Sequence, residues 1–198
     1  MSWDMALMHS PEYESRERTI LLTIARRSIE HGIREGIPLL PESDTLPDSL
    51  TRIRASFVTL RKADDLRGCI GTLNAHRPLA EDVAGSAFSS AFRDPRFPPL
   101  REREFAGLSI EVSVLSPMQP LFVTSEAELL HALRPGIDGL VIEEGSHSAT
   151  FLPTVWESLP KPRAFVNELR RKAGLPEDYW SANLALHTYH TETFAGPA

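Results

Sequence analysis

The sequence predicts an α+β fold with a largely antiparallel sheet and packed helices, on three observations. Some segments carry apolar residues at helical spacing and others alternate strictly, and the two kinds interleave irregularly rather than as repeated strand–helix–strand units. Residues 55–61 and 69–73 flank an Asp64-Asp65 turn in the manner of a hairpin. Residues 108–115 alternate without a break: Leu108, Ile110, Val112 and Val114 point one way, and Ser109, Glu111 and Ser113 the other.

Taken in order, residues 14–34 read as a helix with Leu21, Ile24, Ala25, Ser28, Ile29 and Ile33 on one face, stopped by Gly36. Residues 1–13, Trp3 among them, are expected to be a loose terminus. Residues 38–48 form a proline-containing linker, because proline lacks a backbone donor and restricts the residue before it. The hairpin follows, its first strand centred on Phe57, Val58 and Thr59. Residues 78–92 are helical, with Leu79, Val83, Ala84, Ala87, Phe88 and Ala91 on one face and Pro78 in the first turn. After the alternating strand, Thr124 or Ser125 caps a short helix through Leu133. Residues 139–143 and 150–152 are short strands around a Gly145-Ser146 turn. Residues 163–172 are helical and end at Gly174, where a left-handed residue belongs. Residues 185–194 read as one final strand.

The chain has 198 residues with ordinary globular proportions, 41% hydrophobic and 24% charged. That is long enough to bury a core without disulfides or metal, and its lone Cys69 cannot form an internal disulfide. A net charge of −6 argues against a nucleic-acid or anionic-membrane partner, since both need clustered cations. Residues 1–10 show neither a basic start nor an apolar run, and no stretch is long enough to span a bilayer, so the cytoplasm is expected. The Arg170-Arg171-Lys172 cluster reads as cations completing a helix C-terminus.

The stretch with most chemical promise is Leu66-Arg67-Gly68-Cys69-Ile70-Gly71-Thr72. Gly68 and Gly71 permit backbone angles and close approaches that other residues forbid. Arg67 is a cation beside a thiol, and N–H groups near the glycines are candidate anion donors. The same cysteine equally reads as a small buried hydrophobe. Seven histidines are present, but no pair has the helical ligand spacing of a zinc hydrolase, so no metal or other cofactor is expected.

The 66–72 stretch resembles the signature of the AMMECR domain family, whose bacterial and archaeal members are called AmmeMemoRadiSam system protein A. The resemblance continues, in the family's order, in Asp94-Pro95-Arg96-Phe97-Pro98-Pro99-Leu100, Glu111-Val112-Ser113-Val114-Leu115-Ser116-Pro117 and Asp138-Gly139-Leu140. It ends with Phe151-Leu152-Pro153-Thr154-Val155-Trp156, Arg171-Lys172-Ala173-Gly174-Leu175 and Trp180. Thr154 stands where the family commonly has Gln, so a role needing an amide there does not carry over.

The resemblance implies an intracellular α+β protein whose domain, residues 14–198, has a larger lobe from both chain ends and a smaller central lobe. It implies partnership with a Memo-type protein and a radical-SAM protein, and brings no reaction with it. Two functions follow as expectations. In the first, Cys69 is a nucleophile or redox thiol, Glu111 an acid, base or orienter, and Arg67, Gly68, Gly71, Asp94, Arg96 and Ser113 form the binding surround. In the second, the same residues belong to a non-catalytic binding or adaptor module.

Overall fold

The structure is a computed structural model and describes residues 12–198; most of the segment read as a loose terminus lies outside them. It holds two compact units, one made of the chain up to Val114 together with Glu192–Ala198, the other of Leu115–Thr191. The α+β reading holds: each unit is built on a four-stranded sheet with helices.

The first unit opens with α1 (Ser15–Glu35). Glu14 N–H donates to Glu17 Oε2 at 2.7 Å, satisfying one of the donors a helix start leaves free. Gly36 ends the helix at φ 74°, its N–H donating to Gly32 O. Ahead of it Tyr13 is buried. A short helix, α2 (Asp48–Thr51), leads into β1 (Ser56–Lys62) and β2 (Asp65–Gly71). After α3 (Leu79–Phe92) and α4 (Glu102–Phe105) comes β3 (Leu108–Leu115), and β8 (Thr191–Pro197) returns to complete the sheet in the order β2-β1-β3-β8.

One face of this sheet, carrying Val58, Leu60, Ile110, Val112 and Val114, packs with Leu21, Ile24, Ala25 and Ile29 of α1 and Leu79, Val83, Ala84, Ala87 and Ala91 of α3. Two long helices over one sheet need close contact, and small residues provide it. Ser28 Oγ donates to Ala84 O at 2.7 Å, and a Cβ on Gly32 would lie 2.5 Å from the Phe92 ring. Fully burying a Leu, Ile or Val side chain contributes roughly 1.5–3 kcal/mol each, so this cluster dominates the unit's stability.

The predicted hairpin is present, but its turn is Ala63-Asp64, both residues with positive φ, and β2 starts at Asp65 rather than Cys69. Two residues with positive φ suit a tight hairpin, and Ala-Asp lacks the glycine that usually marks one.

In the second unit β4 (Gln119–Pro120), β5 (Gly139–Glu144), β6 (His147–Phe151) and β7 (Ala185–Tyr189) form a sheet ordered β4-β7-β5-β6. Its helices are α5 (Glu126–Ala132), capped by Ser125 as predicted, and α6 (Pro162–Lys172). Trp156 stacks on Phe165 at 3.8 Å and donates its Nε1–H to Asp138 O at 2.7 Å, among Leu129, Leu140, Ile142 and Leu169. Gly174, just past α6, is left-handed at φ 78°.

The single strand expected over 185–194 is in fact two, β7 and β8, belonging to different sheets. They part at His190, whose N–H donates to Ser116 Oγ and whose carbonyl accepts from Ser116 N–H, both at 2.9 Å. Ser116 thereby takes the backbone groups that a continuous ladder would have used.

Candidate functional site

Cys69 lies on β2, an edge strand of the first sheet, on the face opposite the helices. In register it stands beside Thr59 on β1, and Thr59 stands beside Glu111 on β3. A thiol, a hydroxyl and a carboxylate therefore form one row across three strands. The sequence periodicity placed Glu111 and Ser113 on a common face; it could not show that Thr59 joins them, because pairing register is a property of the assembled sheet.

The Cys69 backbone is held from outside the sheet. Its N–H donates to Asp94 Oδ2 at 2.9 Å and its carbonyl accepts from Arg96 Nη2 at 3.2 Å. Since both groups point outward, Cys69 and Thr59 form a non-hydrogen-bonded pair, the kind in which facing side chains come closest. Thr59 Oγ1 donates to Cys69 Sγ at 3.3 Å. Thr59 is buried and Cys69 half-buried.

Asp94 and Arg96 are bound to each other at two points, Nε to Oδ1 at 2.9 Å and Nη2 to Oδ2 at 2.7 Å, and the Arg96 N–H also donates to Oδ1. These bonds, with the Cys69 N–H, hold the Asp94 carboxyl well below the usual carboxylate range; Arg96 is the leading cause, and burial opposes it. Arg96 is in turn held charged, chiefly by Asp94, with burial opposing it. Its side chain is 52% exposed, so the guanidinium that bonds the Cys69 carbonyl also faces solvent.

Arg67, which the sequence places nearest the thiol, turns elsewhere. Leu60 pairs with Gly68 and Arg61 with Leu66, which leaves Arg67 in a bulge without an opposite residue. A bulge re-aims its side chain, and Arg67 bonds Glu104 Oε1 at 3.0 Å, Glu104 Oε2 at 3.3 Å and Pro98 O at 3.0 Å. The pair lowers Glu104 to about 2, Arg67 being the main cause and the Arg101 N–H the next.

The two glycines serve close approach. A Cβ on Gly68 would lie 2.1 Å from Ser90 O, and one on Gly71 2.2 Å from Ser56 O. Through the gap at Gly68, α3 presents Ser90, whose Oγ accepts from Ile70 N–H at 2.8 Å and donates to Val58 O at 2.7 Å. The N–H groups of Cys69 and Ile70 are thus engaged within the protein rather than offered to an anion. Ser113 is buried and shares a hydrogen bond with Thr193 at 2.9 Å, while Glu111 is half-buried and makes no hydrogen bond or ion pair among the described residues. Two strand spacings, about 10 Å, separate its strand from that of Cys69.

Thr59 and Ser90 are the site residues that sequence reasoning missed. The signal for Thr59 was its place at the centre of the strand before the cysteine; that for Ser90 was its line with Asp82 and Ser86 at four-residue spacing, a buried polar stripe on α3. Among the described residues, no three His, Cys, Asp or Glu side chains converge as a metal site would require.

The AMMECR1 family pattern matches residues 22–194. The chain belongs to the AMMECR1 family. A family protein from Methanothermobacter thermautotrophicus is 36% identical over 194 residues, covering 95% of this chain and 98% of that one. Protein MK0488 of Methanopyrus kandleri is 34% identical over 187 residues, covering 90% of this chain and 87% of its own. The crystal structure of the uncharacterised protein PH0010 from Pyrococcus horikoshii matches with a TM-score of 0.83 at 34% identity over 92% of each chain. The AMMECR1 fold is therefore shared along almost the whole length. Among the described residues, no helix is long and apolar enough to cross a membrane.

Proposed function

We propose that this AMMECR1 protein is a cytoplasmic component of an AmmeMemoRadiSam-type modification system, in which Cys69 is the reacting thiol. A Memo-type protein and a radical-SAM protein are its proposed partners. The observation that carries the reading is the surround of one cysteine, with the Thr59 hydroxyl donating to its sulfur and the Arg96 guanidinium bonded to its carbonyl. Reactive cysteines sit in partly exposed, electropositive surroundings of this kind, whereas structural ones are enclosed by apolar groups. Glu111 fits the role of a group that orients a substrate lying across Thr59, since it stands in the same row and its side chain has no partner among the described residues.

A binding or adaptor role is the second reading, and one observation favours it: the Cys69 sulfur bonds a hydroxyl rather than a histidine or carboxylate that could take its proton. The two readings part on one experiment. The folded protein is treated with iodoacetamide at neutral pH, with the denatured protein as control; Cys69 is the sole thiol, so the stoichiometry is unambiguous. Labelling of the folded protein at a rate equal to or above that of the denatured chain supports the thiol reading. Labelling only after denaturation sinks it and leaves the adaptor reading. Co-purification with a Memo-type or radical-SAM protein, tested with tagged wild type, checks the proposed partnership.

A further inference from the structure

We propose that Thr59 is a positioning residue for the Cys69 sulfur, setting both its direction and its reactivity; this rests on the reading of Cys69 as the reacting group. Three polar features of Cys69 are each held by a different residue. Asp94 takes the N–H, Arg96 bonds the carbonyl, and Thr59 donates to the sulfur. The first two fix the backbone at the sheet edge, and the third fixes the side chain along the row toward β1 and Glu111.

Thr59 is suited to this by more than its hydroxyl. Its position in a non-hydrogen-bonded pair brings its side chain as near to that of Cys69 as an antiparallel sheet allows. It is buried, so water does not compete for the donor, and β-branching limits the rotamers through which the hydroxyl can swing away. A hydroxyl donating to sulfur stabilises negative charge there and leaves the sulfur's remaining lone pairs free to attack. The opposite neighbour of Thr59 is Glu111, so a molecule reaching from the thiol to the carboxylate must pass over Thr59.

The test is the second-order rate of Cys69 alkylation by iodoacetamide at one fixed neutral pH, in wild type, Thr59→Val and Thr59→Ser. Circular dichroism and thermal melting confirm that each is folded. Thr59→Val removes the donor with little change of shape and is expected to slow alkylation about tenfold. Thr59→Ser restores the donor and is expected to return the rate to within about threefold of wild type. A purely structural threonine gives a different pattern: Val and Ser alter the melt but leave the rate unchanged, or slow it equally, and either result overturns the proposal. If folded wild type is not labelled at all, the thiol reading fails and Thr59 has nothing to position. If wild type is labelled and Thr59→Val matches it, this inference alone fails.

Discussion

Asp94 Oδ2 accepts the backbone N–H of Cys69 at 2.9 Å, in the place a further strand would occupy beside β2. An edge strand presents unpaired donors and acceptors that would otherwise meet solvent or another chain. Here a turn supplies both halves of the missing partner, the acceptor from Asp94 and the donor from Arg96. Asp94→Ala should remove the acceptor, free Arg96 and destabilise the protein by about 2 kcal/mol. The check is a denaturant melt paired with hydrogen exchange: the Cys69 amide should exchange faster, and amides of β5 in the second unit should not. Unchanged exchange at Cys69 would show that the turn does not hold the edge.

Alanine at Gly68 and at Gly36 separates two reasons for glycine. At Gly68 a Cβ meets the Ser90 carbonyl at 2.1 Å, and neither β2 nor α3 can yield without breaking the Ser90 bonds to Ile70 and Val58. We predict a cost of about 3 kcal/mol. At Gly36 nothing lies within 4 Å, but φ is 74°, so Gly36→Ala meets only the left-handed backbone penalty of about 1 kcal/mol. Urea melts of the two variants should rank in that order, and the reverse ranking would contradict the close approach of α3 to β2.

Stability should fall in acid through Asp94 and Glu104. Both carboxyls are lowered in the folded protein, Glu104 to about 2, by Arg96 and Arg67 respectively. A group lowered on folding contributes stability that is fully present above its unfolded value, roughly 3.9 for Asp and 4.3 for Glu. That contribution is lost as pH falls through the folded value. Glu104→Gln lacks it at every pH. Wild type should therefore exceed Glu104→Gln most clearly at neutral pH, and the difference should shrink from about pH 4 downward. A difference that stays constant to pH 2 would mean the Arg67 pair contributes nothing through ionisation.

Much of this architecture was legible in the sequence because it depends on local periodicity. The alternation over residues 108–115 gave β3, the helical spacing gave α1, α3 and α6, and Gly36 and Gly174 marked their ends. What escaped depends on contacts distant in the chain. The break at His190 is made by Ser116, 74 residues away, and no feature of residues 185–194 themselves announces it. At the site, the sequence brought forward Cys69, Asp94, Arg96 and Glu111, and set Arg67 beside the thiol. Adjacency favoured Arg67, and a one-residue bulge, invisible without the partner strand, sends that side chain to Glu104.

That bulge leads to the last prediction, Arg67→Lys. The Arg67 side chain is 10% exposed and bonds two carboxylate oxygens and a carbonyl with the planar fork that lysine lacks. Lysine keeps the charge but can match this geometry only in part, leaving buried acceptors under-satisfied, and we expect a loss of about 2 kcal/mol. The alkylation rate of Cys69 should nevertheless stay close to wild type, because the cation bonded at Cys69 is Arg96, and Arg67 is turned to Glu104. Arg96→Gln should give the converse: a slower thiol and a milder loss of stability, since Arg96 is half-exposed and its ion pair is partly screened by water. Thermal melts and iodoacetamide rates on the two variants separate the roles. If Arg67→Lys slows the thiol while Arg96→Gln does not, the assignment of the two arginines must be exchanged.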